Sequence, residues 1–385
     1  MDSLYKRELE VAIRAVEQAA RVSQAVLPDT DKGAVEKEDN LGPVTIGDFA
    51  IQALLTATIH DAFPKDTFVG EEDASALRAD SVLCERVYST LQKTVDTTAD
   101  PSTGAQCVLP TSQADMCDTI DRCQNAPGQG RVWVFDPIDG TKTFLRREMY
   151  AINVTLLVDG QQTVAVVGCP LLSPDAETGD DAVTIQNDSI DPTGRGSLLF
   201  AIRGHGAHVR PMFEEARQAG VVPAVASTAT ARRLPRYAAS SSQADARPTV
   251  LRPVTCYFLQ ESALDDVHRA VAEQLGVPFP GSDLLGWVPR WSALAMGRAN
   301  TTVWVYRRRD RHAKIWDHAG AMLLFEEVGG KITDVDGKPL DLLAGRILKN
   351  NFGFVAAPAD AHAAVLKAVH NVLRSQGRAD LLGAN

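Results

Sequence analysis

The sequence predicts a mixed helix-and-strand fold in two parts, an α+β half over residues 1–205 and an α/β half over residues 206–385. Three observations carry this expectation. The chain opens on two long helical stretches. Closely spaced apolar strands follow, two of them joined by Asp159-Gly160, a tight-hairpin dipeptide. From about residue 206 strand-like and helix-like segments alternate, the pattern of an α/β unit. At 385 residues, 45% hydrophobic and 23% charged, the chain has material for two or three cores, and whole-chain disorder is excluded.

Each element has a local reason. From Leu4 to Leu27, Leu9, Ile13, Val16, Ala20 and Val26 recur at near-helical spacing among charges, which predicts an amphipathic helix stopped by Pro28. P-V-T-I-G-D-F-A-I-Q-A-L-L predicts a second helix, with Thr45 or Asp48 near its start and an apolar face from Phe49 to Ile59. D-A-F-P-K-D-T-F-V-G-E-E gives a turn, a short strand at Thr67 to Val69 and a loop carrying Glu71 and Glu72. The Thr-, Ser-, Asp-, Gln- and Gly-rich stretch from Thr90 to Gly130 reads as a long surface insertion. Arg131 to Asp136 is a compact strand, the hairpin pair follows, and Ser197 to Arg203 is a third strand. Residues 175–195 read as an acidic, solvated loop. In the second half, R-P-T-V-L-R-P-V and T-V-W-V-Y read as strands. Ala263 to Leu275, Arg290 to Gly297 and Trp316 to Val328 read as helices.

The formal net charge of −10 argues against broad attraction to nucleic acid or an anionic membrane. Six cysteines without a C-x-x-C pair suggest reduced thiols. The amino terminus M-D-S-L-Y-K-R-E-L-E lacks the apolar core of a signal peptide, and no apolar run is long enough for a membrane span. The expected compartment is the cytoplasm.

Chemistry concentrates in F-D-P-I-D-G-T-K-T-F, residues 135–144. A strand delivers Asp136 to its carboxyl end, Pro137 stiffens the backbone and Asp139 brings a second carboxylate to the same place. Spaced carboxylates with room for water suit a hard divalent ion such as magnesium. Gly140 lets the backbone approach a ligand, and the Gly140 and Thr141 amides, if they open a helix, point partial positive charge at an anion. A plain turn with a helix cap is the alternative. Two further acidic stretches bear on the choice: V-G-E-E with Glu71, and K-I-W-D-H-A with Asp317 before an apolar helix, where a simple N-cap is the other reading.

P-V-T-I-G-D, V-G-E-E, D-P-I-D-G-T-K-T-F-L and K-I-W-D-H-A together resemble the signature blocks of the lithium-sensitive, magnesium-dependent phosphomonoesterases that include inositol monophosphatase. G-R-V-W-V-F-D-P-I-D-G-T-K-T-F-L-R, A-I-N-V-T-L-L-V-D-G, V-G-C-P and L-L-F-A-I-R-G-H-G-A resemble the 3'(2'),5'-bisphosphate nucleotidase branch. The resemblance implies alternating helix and sheet layers with the site between the two halves. It implies that Glu71, Asp136, the Ile138 carbonyl, Asp139 and Asp317 hold two or three magnesium ions, and that Asp48 and Thr141 orient and activate the attacking water, the Thr141 hydroxyl donating to Asp48. Gly140 and Thr141 amides would hold the phosphate, with Arg290 and Lys314 as further substrate contacts. The implied reaction removes the 3'-phosphate of adenosine 3',5'-bisphosphate to give AMP, and acts likewise on the sulfated analogue. A monomeric enzyme of sulfur assimilation and salt tolerance is implied, inhibited by lithium, with sodium and calcium as further candidate inhibitors. An inositol phosphate phosphatase and a silent nucleotide or metal sensor are the alternatives.

The specificity half departs from the branch pattern. L-Q-E-S-A-L puts Glu261 where a His-Ser-Ser type stretch is usual, and Trp304 stands where an arginine is expected. Arg290 matches a family lysine. Trp287, Trp291 and Trp304 are candidates for stacking an adenine, and Arg307 to Arg311 reads as a solvated basic turn. His205 and His312 read as loop residues outside the mechanism.

Overall fold

A computed structural model describes residues 4–36, 43–175, 184–214, 221–226, 229–237, 250–256 and 263–383. Glu261 and the first three residues of R-P-T-V-L-R-P-V lie outside the described residues, as do residues 176–183 of the acidic stretch; of the five described residues of that run only Val254 is in a strand, where the sequence suggested strand throughout.

Helix α1, Lys6–Val26, ends where Leu27 meets Pro28. The short strands β1 (Val35–Glu36) and β2 (Pro43–Val44) pair antiparallel and lead into α2, Ile46–Ala62. A capping box opens α2: the Thr45 hydroxyl accepts from the Gly47 amide, and Asp48 Oδ2 accepts from the Thr45 amide at 2.7 Å. After β3 (Thr67–Gly70) come α3 (Ser75–Ala79), α4 (Ser81–Thr94) and α5 (Gln113–Asp121). Helix α5 corrects the surface-insertion reading of residues 90–130. Met116, Cys117, Thr119, Ile120 and Cys123 are buried, and α5 packs on α2 and α4. Ser112 supplies the cap that its polar surroundings concealed as a loop signal.

Strands β4 (Arg131–Asp139), β5 (Ala151–Val158), β6 (Gln161–Cys169), β7 (Ser197–Ile202), β8 (Ala207–Pro211) and β9 (Arg232–Arg233) join β3 in one seven-stranded sheet, ordered β3-β4-β5-β6-β7-β8-β9. The sheet thus runs on past residue 206. Its β3–β4 pair is parallel and the rest antiparallel. The β5–β6 turn is the expected one, with Asp159 at φ 51° and Gly160 at φ 78°.

Between β4 and β5 lies the short helix α6, Thr141–Leu145. Beyond the sheet follow β10 (Val254–Thr255), α7 (Asp265–Leu275), β11 (Ser282–Asp283), α8 (Trp287–Met296), β12 (Thr302–Trp304), α9 (Ala319–Glu327), β13 (Gly330–Thr333), β14 (Phe354–Pro358) and α10 (His362–Ser375). Helices α1 and α2 cover one face of the large sheet: Gly168, paired with Ile152, leaves room for Val16 of α1. Helix α9 covers the other, where Asn153, the next residue along β5, faces Gly320. Sheet β12-β14-β13 packs beyond α9, and α10 with α7 closes the stack. The result is a layered helix–sheet–helix–sheet–helix fold. The helix expected at Trp316 begins three residues later, which leaves Asp317 in a turn. All six cysteines are buried as thiols. No helix among the described residues is long and apolar enough to cross a membrane.

Candidate active site

The carboxyl end of β4 builds the site. Residues three apart on a regular strand point to opposite faces. Here Asp136 pairs with Asn153 and Asp139 with Ala151, three steps on β4 against two on β5. The extra residue is a β-bulge that reverses the alternation and returns Asp139 to the side of Asp136. Pro137, which has no N–H to lose from the ladder, sits inside it. Gly140 then turns the chain at φ 87°, where any Cβ would be strained and would also lie 2.7 Å from the Thr143 hydroxyl.

Oxygen atoms of Asp136, Asp139 and Asp317 all lie within 4.8 Å of one another. With Glu71, Ile138, Gly140 and Thr141 they line a cleft of about 200 Å3. Glu71 arrives from the loop after β3. Asp317 comes from the turn before α9, which Asn153 holds by donating to the Trp316 carbonyl at 2.6 Å and Gln162 by donating to the Ala319 carbonyl. His318, fully buried, stacks on Phe354 and accepts from the Trp291 indole through Nδ1 at 3.1 Å, so burial keeps it neutral.

Electrostatics mark these groups as unfinished. Burial, then the charges of Glu71, Asp139, Asp317 and Asp48, push the Asp136 carboxyl well above the ordinary aspartate range. Burial pushes Asp139 up to about 7, against the opposing pull of the Val288 amide and of Arg290. Asp136 Oδ1 is buried with no hydrogen-bond partner. A cluster of hard oxygen donors that repel one another and leave a buried oxygen unsatisfied fits a divalent cation, which would neutralise the charge and fill the open coordination.

Around these ligands the other expected residues take definite places. Asp48 is fully buried and accepts from the Thr45 hydroxyl at 2.6 Å as well as from its amide, so the cap and the site share one carboxylate. The Thr141 hydroxyl donates to the Ile138 carbonyl at 3.1 Å, where the sequence suggested Asp48 as its acceptor. Lys314 is half-buried with its ammonium 5.4 Å over the Trp316 ring. Arg290 is not among the residues that line the cleft. It is fully buried beneath the cleft, donates to the Leu284 and Leu285 carbonyls at 2.9 Å each, and lies 3.9 Å from the Trp287 ring centre. Those carbonyls take its Nε and Nη2 donors, and Nη1 is buried without a hydrogen-bond partner. Trp291 and Trp304 are likewise buried, packed among Trp287, Arg290 and Phe354, and neither offers a face to a base. His205 is exposed and His312 half-buried, as loop residues.

Along residues 5–374 the sequence matches the inositol monophosphatase family. The chain belongs to that family. Curated relatives named 3'(2'),5'-bisphosphate nucleotidase include one from Emericella nidulans, 36% identical over 96% of this chain and 99% of its own length. Another, from Schizosaccharomyces pombe, is 32% identical over 92% of each chain, and one from Oryza sativa is 30% identical over 97% of each. Among solved structures, the Thermotoga maritima IMPase superposes with a TM-score of 0.53 at 16% identity, covering 96% of this chain and 98% of its own. Inositol monophosphatase from Anabaena gives 0.52 at 17%, covering 96% and 97%. These likenesses establish the family's fold here.

Three site features escaped the sequence reading. Lys142 lines the cleft as an exposed cation, and its position inside D-G-T-K was the available signal. Val288 donates to Asp139 Oδ2 at 2.7 Å, and Gly286 packs so closely that a Cβ would lie 2.5 Å from that oxygen. Asn187, in the stretch read as solvated, is buried and accepts from the Leu285 amide, fastening the same segment. Backbone contacts of this kind leave no residue-type signature.

Proposed function

We propose that the protein is a magnesium-dependent phosphomonoesterase that hydrolyses the 3'-phosphate of adenosine 3',5'-bisphosphate to AMP, and acts likewise on the sulfated analogue. The observation that carries this reading is the convergence of Asp136, Asp139 and Asp317 around a buried unsatisfied oxygen, in a chain whose relatives bear the bisphosphate nucleotidase name. Glu71, Asp136, the Ile138 carbonyl, Asp139 and Asp317 would hold the ions. Bound there, magnesium supplies Lewis acidity that lowers the pKa of water and balances charge on the phosphoryl oxygens.

The chain's own groups do the rest. The Gly140 and Thr141 amides and the Lys142 ammonium meet the anionic phosphate. The Thr141 hydroxyl, its hydrogen held by Ile138, offers lone pairs to orient the attacking water, and Asp48 provides the negative charge behind it. Lys314 remains a candidate for the nucleotide's second phosphate, whereas Arg290 is assigned to supporting the cleft floor. The net charge of −10 supports a small-molecule substrate over nucleic acid. A cytoplasmic monomer inhibited by lithium completes the reading.

The test is phosphate release from adenosine 3',5'-bisphosphate and inositol 1,4-bisphosphate, side by side, with magnesium and with lithium added. The nucleotide should be preferred, lithium should inhibit, and Asp136→Asn should lose at least about 100-fold in kcat/KM, the scale for removing a charge-stabilising group. Preference for the inositol substrate would overturn the assignment.

A further inference from the structure

We propose that Arg346 is a positioning residue that sets Glu71 and Asp317 at the separation a cation needs. The two carboxylates reach the cleft from distant parts of the chain, Glu71 from the loop after β3 and Asp317 from the turn before α9. One side chain ties both. Arg346 Nη2 donates to the carbonyl of Gly70, the residue before Glu71, at 2.6 Å. Nη1 donates to the Cys123 carbonyl at 2.8 Å, and Cys123 in turn accepts from the Gly70 amide at 3.0 Å. The guanidinium lies 4.7 Å from the ring centre of Trp316, the residue before Asp317. The Arg346 carbonyl closes the link by accepting from the Ile315 amide at 3.0 Å.

Chemistry requires arginine at this point. A planar guanidinium can send two parallel donors to two carbonyls while its face lies on an indole; an ammonium is a single point with no face. Glu71 and Asp317 lie on opposite sides of this clamp. Loosening it lets the two loops relax apart under the mutual repulsion of their carboxylates, so the cation would have to pull them together at the expense of affinity. Arg346 touches no reacting atom and acts only through the two loops.

The inference rests on the reading that Glu71 and Asp317 share the cation site, and the experiment separates the two. Manganese binding to the full chain is measured by calorimetry without nucleotide, for wild type and for Asp136→Asn, Arg346→Ala and Arg346→Lys, with thermal melts in chelator to verify folding. Arg346→Ala should weaken manganese binding by about 10- to 100-fold, the range for groups supporting metal ligands. The magnesium concentration for half-maximal activity should rise in parallel, while the nucleotide KM at saturating magnesium stays within about threefold, since no substrate contact is removed. Arg346→Lys should stay closer to alanine than to wild type. A folded Arg346→Ala protein that binds manganese within about twofold of wild type would overturn the proposal. If the alanine variant does not fold, the lysine variant decides: wild-type affinity overturns the clamp, weakened affinity supports it. Asp136→Asn binding manganese like wild type would instead sink the cation site itself, whatever Arg346 does.

Discussion

Replacing Asp139 with Asn should stabilise the metal-free protein while crippling it with metal present. Asp139 is buried, and its carboxyl is raised from the usual 3.8 to about 7. A carboxyl raised in the folded state holds a proton that the unfolded chain has already lost. Stability of the metal-free fold therefore falls as pH climbs from about 4 to about 7, and the whole penalty is present above that. A rise from 3.8 to about 7 corresponds to about 4 kcal/mol as an upper figure. Asparagine keeps the carbonyl oxygen that accepts from the Val288 amide, so the substitution removes charge with little loss of geometry. With an unfolding entropy of about 2.1 cal/mol/K per residue over 385 residues, the gain translates to roughly 5 °C in Tm at pH 8. Melts of both proteins in EDTA at pH 8 and pH 4 provide the measurement. The gain should vanish at pH 4, and saturating magnesium should reverse its sign by stabilising wild type alone. No gain at pH 8 in chelator, or the same gain at pH 4, would refute the account of Asp139 as a carboxyl whose charge burial disfavours.

Two other substitutions test the surroundings. Gly140→Ala forces a Cβ onto a backbone at φ 87°, so urea denaturation should register a loss of about 1–2 kcal/mol and turnover should fall as the Thr141 amide moves. Trp304→Arg restores the residue type expected of a bisphosphate nucleotidase, yet Trp304 lies buried among Trp287, Tyr306 and Arg290, so the change should cost about 3–5 kcal/mol of stability without lowering the nucleotide KM. A lowered KM in a stable variant would contradict the packing described.

Legibility in the sequence followed the physical range of each signal. Asp136, Asp139 and Asp317 were readable because their neighbours have narrow backbone requirements, Pro137 and Gly140 above all, and because they recur in a recognisable order. Helices α1 and α2 were readable from periodicity and from Pro28 and Thr45 at their ends. Helix α5 was not, since its polar composition resembles a loop until Met116, Cys117 and Ile120 are seen against α2. Arg290 and Arg346 show the same limit. A sequence presents both as cations seeking an anion, but their hydrogen bonds go to carbonyl groups, and any residue can supply a carbonyl.

The β4 irregularity also bears on how this protein can change length. Surface turns absorb an added or missing residue at small entropic cost. The run from Asp136 to Asp139 cannot, because its residue count decides which side of the sheet each carboxylate meets. Inserting one residue would send Asp139 away from its partner, and deleting one would straighten the strand. Substitution can explore chemistry at these positions, but a single-codon insertion there separates the two carboxylates in one step, whereas a deletion would leave them on one side and remove the bulge.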